Sequence, residues 1–220
     1  MTFGIQIQSS SGFTQIDDTM VNYVLRASGS LAVSGSFNNP SSDTVDVSAF
    51  VTDATKCLFF VRPTVVNSAI SGQVRADGVA KIEAWQTGTV QWRVYERADA
   101  IAVPASGYGI NVMKPNGSLA YSSEYAVPLI FAVVSGFPSF SVGSVTHSYA
   151  AIPFGLLHNC YVWSIFYEDD PVPDELNTMA LQWYSATSVG VGTETEEYYS
   201  SGSNEVINTS VRSWCFIEGS

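Results

Sequence analysis

The chain of 220 residues has few of the residue types on which most enzymes and metalloproteins depend. It contains two histidines and three cysteines, and no two of the cysteines form a CxxC pair. An odd number of scattered cysteines argues against a disulfide framework or a zinc knuckle, so we expect free, buried thiols. The sequence also lacks HExxH, P-loop, GxSxG and complete dinucleotide-binding motifs. These absences predict a protein that is not an enzyme and holds no organic cofactor.

Basic residues are scarce as well, with 9 Lys and Arg against 20 Asp and Glu. The imbalance lies in the second half: up to residue 98 there are 7 basic and 8 acidic residues, and from residue 99 onward there are 2 and 12. Nucleic-acid binding needs a dense basic surface that neutralises phosphates, whereas the basic residues of the first half are dispersed along the sequence. We therefore expect no nucleic-acid partner.

Long apolar runs are missing too. The most apolar run, residues 126–134, is interrupted by Pro128 and is about half as long as the ~20 residues that span a bilayer. The first residues, MTFGIQIQSSS, lack the basic start and apolar core of a secretion signal. These features predict a protein that is made in a cytoplasm, is not exported by a signal peptide and does not insert into a membrane.

What the sequence does contain is typical of β-structure. Val, Thr, Ser, Tyr, Phe and Gly dominate, and helical spacing of apolar residues is rare. Apolar and polar residues alternate clearly in TVDVSAFV (44–51), VAKIEAW (79–85) and VQWRVY (90–95). The predicted fold class is all-β, and core packing is the expectation for the tryptophans, which are Trp85, Trp92, Trp163, Trp183 and Trp214.

The sequence repeats itself at an offset of 105 residues. FGIQIQSSSGFTQIDD, which begins at Phe3, aligns with YGINVMKPNGSLAYSSEY, which begins at Tyr108. Each copy has apolar residues at alternate positions and then a turn, in which Gly12 and Gly117 suit a left-handed conformation. Each copy is therefore predicted to open with a β-hairpin.

Two later segments also correspond. KCLFFVRP (56–63) resembles NCYVWSIF (159–166) at an offset of 103, and TVQWRVY (89–95) resembles SVRSWCF (210–216) at an offset of 121. The change of offset implies about 18 added residues in the second copy. Because the intervening sequence is acidic and rich in Gly and Ser, we expect exposed loops at about 168–175 and 187–209.

A period near 105 residues matches a duplicated domain. We expect two tandem β-sandwich-like domains, at residues 1–103 and 107–220, on either side of a short linker within AVPASG (102–107). The alternative is one continuous β-structure that both copies share.

The second predicted loop holds the candidate binding residues Tyr198, Tyr199 and Asn204. Tyrosines in a polar loop supply rigid contact area for a glycan or a protein partner. The alternative is that one or both tyrosines pack back onto their own domain.

The first predicted loop holds the carboxylates Glu168, Asp169, Asp170 and Asp174. Such groups can supply oxygen ligands to calcium, or a pair of carboxylates for glycoside hydrolysis. Their spacing matches no defined calcium loop, so a solvated acidic segment is the alternative.

Both copies of the opening hairpin resemble the start of small tail proteins of long-tailed, siphovirus-like bacteriophages. Those chains begin with an aromatic-Gly-apolar-x-apolar strand and a Gly-containing turn, followed by an apolar residue and then Asp or Ser. IDD (16–18) matches the last element in the first copy, and YSS (121–123) matches it in the second. The resemblance covers roughly 20 residues of each copy.

The resemblance implies a structural virion protein of the tail tip, baseplate or tail fibre, made in the host cytoplasm. Its partners would be other tail proteins, copies of itself and, in host attachment, a cell-surface glycan or protein. The nearly neutral first copy would dock into the virion, and the acidic second copy would form the exposed end. The alternatives are a carbohydrate-binding or adhesin module that uses Tyr198 and Tyr199, and a glycan hydrolase built on the acidic segment.

Overall fold

In a computed structural model of the chain, the regular secondary structure consists of antiparallel β-strands and two short 3-10 turns, at Ala54–Lys56 and Ala98–Ala100. The structure describes residues 7–8, 14–16, 21–36, 39–104, 109–128, 130–134, 143–146, 152, 154–156, 162–165, 174–185, 188–198 and 214–217. The all-β prediction is confirmed. The strands are β1 (Ile7–Gln8), β2 (Thr14–Ile16), β3 (Tyr23–Ser34), β4 (Ser41–Asp46), β5 (Cys57–Pro63), β6 (Ser68–Val74), β7 (Val79–Ala84), β8 (Thr87–Arg97), β9 (Asn111–Met113), β10 (Leu119–Ser122), β11 (Ile130–Val134), β12 (Gly143–Thr146), β13 (Phe154–Leu156), β14 (Val162–Ile165), β15 (Asp174–Ser185), β16 (Ser188–Tyr198) and β17 (Trp214–Ile217).

Two large sheets contain most of these strands. The six-stranded sheet has the order β11-β17-β13-β5-β8-β3. The seven-stranded sheet has the order β12-β16-β15-β6-β7-β4, with β14 also paired to β15. Two further pairs, β1 with β2 and β9 with β10, form separate two-stranded hairpins.

The main hydrophobic core joins the inner faces of the two large sheets. Phe59, Val61, Trp92 and Val94 come from the six-stranded sheet. Ile70, Ile82, Leu181 and Trp183 come from the seven-stranded sheet. The burial follows the strand period of two, because along β7 the buried residues Ala80, Ile82 and Ala84 alternate with more exposed ones. The fold is therefore a two-layer packing of sheet on sheet.

Strands from both predicted domains lie in these same two sheets. β5 pairs with β13, where Val61 faces Gly155, and β6 pairs with β15, where Ile70 faces Leu181. These ladders connect residues on either side of the linker that was expected to separate residues 1–103 from 107–220. Two separate sandwiches are therefore not confirmed, and the described strands form the shared β-structure that the sequence left as the alternative.

The strands of the two halves nevertheless follow the same order within each large sheet. Outward from the middle of the six-stranded sheet, one half contributes β5, β8 and β3, and the other contributes β13, β17 and β11. In the seven-stranded sheet the corresponding series are β6, β7, β4 and β15, β16, β12. Each half thus supplies three strands to one side of each large sheet, and β14 is the strand without a counterpart among the described residues.

This order agrees with one of the two later sequence correspondences and corrects the other. The segments TVQWRVY and SVRSWCF contribute to β8 and β17, which occupy equivalent positions. The match of KCLFFVRP with NCYVWSIF is wrong in position, because the first forms β5 of the six-stranded sheet and the second contributes β14 of the other sheet. Both are apolar strands, and composition alone does not determine the sheet to which a strand belongs.

The predicted hairpins are present in both copies and have the same register. Ile7 pairs with Ile16 in the first, and Val112 pairs with Tyr121 in the second. The next pairs are Gln8 with Thr14 and Met113 with Leu119, again 105 residues apart, and both hairpins shift register between these pairs and the first ones. The offset found in the sequence is thus reproduced pair by pair in the backbone.

The second hairpin turns where its sequence predicts. Gly117 has φ of +82°, in the left-handed region that glycine adopts at no steric cost, and its N–H donates to the Lys114 carbonyl over 2.9 Å. The Asn116 side-chain oxygen accepts from the Ser118 N–H over 3.1 Å. The hairpin is fixed to the first half by the Asn22 N–H, which donates to the Ala120 carbonyl over 3.1 Å.

Candidate functional site

Two of the predicted site residues lie opposite each other on neighbouring strands. Asp174 opens β15 and Tyr198 ends β16, and the two are register partners. The loops expected at 168–175 and 187–209 are therefore strand at residues 174–175 and 188–198, which corrects that prediction. The remaining candidates lie outside the described residues: Glu168, Asp169, Asp170, Tyr199 and Asn204.

The physical reason for this correction lies in the alternation of residues 193–196, Thr-Glu-Thr-Glu. A period of two is a strand pattern even when neither residue type is apolar, but the high acid content favoured a loop. Part of the additional length of the second half lies in longer strands, since β15 and β16 have 12 and 11 residues whereas β6 and β7 have 7 and 6. Among the residues that the structure describes, no group of three or more His, Cys, Asp or Glu side chains could hold a metal ion.

A buried carboxylate lies at one end of β8, where Glu96 is fully buried. Its Oε1 accepts from the N–H groups of Thr52 and Asp53 over 2.7 and 2.8 Å. Its Oε2 lies 3.3 Å from Nε of Arg26, which itself donates to the Phe50 carbonyl over 3.1 Å. The contact with Arg26 is therefore an ion pair without a hydrogen bond, and the carboxylate holds the loop after β4 against the sheet.

Cys57 lies beside this carboxylate, since it is the register partner of Glu96. It is a free thiol, half-buried, and its Sγ donates to the Asp53 carbonyl over 3.3 Å. Burial, followed by the negative charges of Glu96 and Asp53, raises the pKa of the Cys57 thiol to about 12. A thiol in this state is a poor nucleophile at neutral pH, which agrees with a structural role.

The second cluster of charge on β8 is positive and lies on the outer face of the six-stranded sheet. The guanidinium carbons of Arg62 and Arg93 each lie 4.4 Å from the centre of the Phe154 ring. Arg62 donates from Nε to Oε1 of Gln91 over 2.6 Å and from Nη1 to the Ile152 carbonyl over 2.9 Å. Both of these acceptors are neutral.

Strand register explains this cluster. Arg62 of β5 pairs with Gln91 of β8, and Phe60, two residues earlier, pairs with Arg93. Paired residues, and residues two apart on a strand, point to the same face, so both arginines project from the outer face. Phe154 reaches them from β13, a strand of the other half.

A cavity of about 270 Å³ opens beside the two arginines. It is lined by polar side chains of three strands, Ser28 and Ser30 of β3, Arg62 of β5, and Gln91 and Arg93 of β8, together with the Phe154 ring. Both serines are exposed, whereas the Phe154 ring is buried. None of the described lining residues is acidic. This cavity, which we call the arginine cavity, is the candidate functional site.

The sequence did not single out this site, because Arg62 and Arg93 lie 31 positions apart in a region where basic residues look dispersed. The available signal was that KCLFFVRP and TVQWRVY each carry one arginine within a strongly apolar strand. The pairing of β5 with β8 must also be known before the two arginines can be placed next to each other. The tryptophan expectation did hold where it can be checked, since Trp85, Trp92 and Trp183 are buried.

Comparison with protein-family models, curated proteins and solved structures finds no match. The resemblance to phage tail proteins therefore rests on the hairpin residues alone. Within the described part of the chain, no helix has the length and apolar character needed to cross a membrane.

Proposed function

We propose that the chain is a structural virion protein of a bacteriophage tail, at the tail tip, baseplate or tail fibre, with a role in host-surface attachment. The observation that carries the proposal is the shared register of the two opening hairpins, in which Ile7 with Ile16 and Val112 with Tyr121 form equivalent pairs. These hairpins contain the residues on which the resemblance to tail proteins rests. Agreement of register supports the interpretation of both segments as the same motif.

We further propose that the chain arose by duplication of one β-unit. The support is the matching strand order of the two halves, which place β3, β4 and β5 in the same relation as β11, β12 and β13. In this view the duplicated units complete each other by strand pairing at the middle of both sheets, and do not stand apart as tandem domains. Such an arrangement resembles a symmetric dimer whose two copies are covalently joined.

Immuno-electron microscopy of phage particles produced from the encoding genome tests the tail assignment. Antibodies raised against the purified chain are expected to label one end of the tail. Particles purified away from host debris that carry no label on any tail would contradict the assignment.

The attachment role is tested separately with a double substitution, Tyr198→Ser with Tyr199→Ser, in the same phage. We expect normal incorporation of the chain into particles and reduced adsorption to host cells, because the substitution removes aromatic contact area from the acidic half. Loss of incorporation would instead place this segment in an assembly interface.

The second candidate function is a free carbohydrate-binding or adhesin module. The arginine cavity favours it, because polar residues that can hydrogen-bond to a sugar line it, namely Ser28, Ser30, Gln91, Arg62 and Arg93. Size-exclusion chromatography separates the candidates, since a tail component is expected to form symmetric oligomers or bind tail partners, whereas a free module is expected to remain monomeric.

A further inference from the structure

Strand β3 lies at one end of the six-stranded sheet, where β8 is its neighbour among the described strands. Only the beginning of β3 bonds to a further segment, since the Leu25 N–H donates to the Ala126 carbonyl over 2.8 Å. Beyond the shift of register at residues 25–27, the described part of the chain shows no backbone hydrogen bond from residues 27–34 to any segment other than β8. An end strand directs about half of its N–H and C=O groups away from its neighbour, so this stretch needs further partners.

The main core is also incompletely covered along this edge. Ala27 and Leu31 pack against the core but are only half-buried. Their register partners on β8, Val94 and Val90, are fully buried. Covering the remaining apolar surface of Leu31 with another strand would be favourable, because it removes that surface from water.

This edge lacks the features with which proteins keep sheet edges from pairing, which are charged side chains, prolines and bulges. Residues 27–34, ASGSLAVS, contain no charge and no proline, and their ladder with β8 has no shift of register. By contrast β4, which lies at the end of the other large sheet, is shorter and carries Asp43 and Asp46. An unprotected edge of this length indicates that another strand covers it in the working protein.

A second copy of β3 fits this edge in antiparallel orientation. With a two-fold axis at Leu31, this residue meets its own copy, and the two cores become continuous. The other facing pairs are all uncharged: Gly29 with Val33, Ser28 with Ser34, and Ser30 with Ala32. Such a pairing forms about seven backbone hydrogen bonds, which lies within the roughly 10 ± 5 of a typical interface.

The distribution of charge also favours contact through this half of the chain. Residues 1–98 carry 7 basic and 8 acidic residues, a net charge of −1, whereas residues 99–220 carry 2 and 12, a net charge of −10. Pairing at β3 joins the nearly neutral halves and leaves the strands of the acidic halves on the far side of each six-stranded sheet. Repulsion between the two copies is therefore smallest in this arrangement.

We propose that the chain forms a symmetric dimer in which residues 28–34 of β3 pair with the same residues of a second copy. The pairing joins two six-stranded sheets into one sheet of twelve strands. The interface uses the same surface of both copies, so the assembly closes at two chains. The proposal rests on the edge of β3 and not on the tail assignment, so the absence of label on phage tails would leave it standing.

The test is hydrogen exchange of the full chain, read by mass spectrometry at increasing chain concentrations. Analytical ultracentrifugation gives the fraction of dimer at each concentration. We expect the amides of residues 27–34 to become more protected in step with the dimer fraction, because the new ladder takes up their outward N–H groups. The peptide that contains β4 should exchange at the same rate throughout.

Ala32→Lys places a charge at an exposed position of β3, on the face away from the core. The two lysines of a dimer would be diagonal neighbours across the axis, and like charges at an interface disfavour association. We expect the dissociation constant of the dimer to rise at least about tenfold. Ser42→Lys, the same change in charge at an exposed position of β4, is the matched control and should dimerise like the unmodified chain.

Three results would overturn the proposal. A chain that stays monomeric at high micromolar concentration would do so, and so would equal dissociation constants for Ala32→Lys and the unmodified chain. Equal protection of residues 27–34 in monomer and dimer would show that another segment of the same chain covers the edge, or that the copies meet elsewhere. Circular dichroism shows whether each variant is folded, and the exchange measurement on the unmodified chain decides the question if Ala32→Lys does not fold.

Discussion

Strand β8 carries two clusters of charge that are built in opposite ways. At its end, the fully buried Glu96 has two backbone donors and the cation of Arg26 around it. Three residues earlier, Arg93 shares the Phe154 ring with a second cation, Arg62, which donates hydrogen bonds to neutral acceptors on Gln91 and Ile152. The negative cluster has a counter-charge beside it, although no hydrogen bond reaches Oε2 of Glu96, whereas the two arginines of the positive cluster border a cavity. The difference predicts that the negative charge contributes more to the stability of the fold than the positive charges do.

Removing the Glu96 carboxylate should have the largest effect on the stability of the fold. Glu96→Ala leaves the N–H groups of Thr52 and Asp53 without their acceptor and Arg26 without its ion pair. Breaking a buried ion pair from one side costs about 3–5 kcal/mol. We expect a loss of this size in the free energy of unfolding, measured by urea denaturation.

Asp77→Ala is the control for that experiment. Asp77 forms an ion pair with Arg75 in which the two side chains are 48% and 60% exposed, and exposed pairs contribute about 0–1 kcal/mol. Similar losses for Glu96→Ala and Asp77→Ala would show that Glu96 has no special structural role.

Glu96→Gln separates the charge of Glu96 from its hydrogen bonding, because it removes the negative charge and keeps the shape of the side chain. The amide oxygen can still accept from Thr52 and Asp53, but the attraction to Arg26 and the charge assistance of both hydrogen bonds are lost. We expect a loss of about 1–3 kcal/mol in the free energy of unfolding, smaller than that of Glu96→Ala. A loss as large as that of the alanine variant would mean that the charge, and not the hydrogen bonding, dominates.

Asp99 is an intermediate case, since it is paired but less buried. Hydrogen bonds from Arg97, and then from Lys114, lower the pKa of its carboxyl group. A lowered pKa stabilises the fold above the ordinary Asp value near 3.9, and this stabilisation is lost as the pH falls through the lower value of the folded state. Asp99→Asn should therefore cost about 1 kcal/mol at pH 7 and progressively less towards pH 2.

Urea denaturation of both chains across that pH range provides the measurement. The two stability curves should converge at acidic pH. A constant difference between them at every pH would show that Asp99 acts through its size or its neutral hydrogen bonds, and not through its charge.

Arg93→Gln tests the positive cluster and should have the smallest effect on stability. The substitution removes the cation–π contact with Phe154 and a side-chain hydrogen bond with Tyr95, but it also removes the repulsion of Arg62, and these changes oppose each other. We expect the free energy of unfolding to change by about 1 kcal/mol or less. A loss comparable to that of Glu96→Ala would mean that the two clusters are both structural.

Local features of the fold could be predicted from the sequence, because they depend on nearby residues. The turn at Gly117 and the register of both hairpins follow from alternation and turn chemistry within about 15 residues. The pairing of β5 with β13, and of β6 with β15, joins strands about 100 residues apart, and alternation alone does not specify which edges meet. This is why tandem sandwiches were expected where the halves share sheets.

The candidate site depended on the same long-range pairing. Arg62, Arg93 and Phe154 come from three strands and two halves of the chain, so no segment of the sequence contains a recognisable motif. The acidic and tyrosine-bearing candidates were visible because they lie within single segments. Sites assembled across a sheet become apparent only when its strand order is known.

The most direct test of this account is whether the two halves unfold together. Hydrogen exchange, read by mass spectrometry at increasing urea concentrations, compares the peptides that contain β5 and β8 with the peptide that contains β15. Because strands from both halves share two sheets and one core, we predict a single common urea midpoint for all of these peptides. Two well-separated midpoints, one for residues 57–97 and another for residues 174–185, would contradict the shared structure and restore two independent domains.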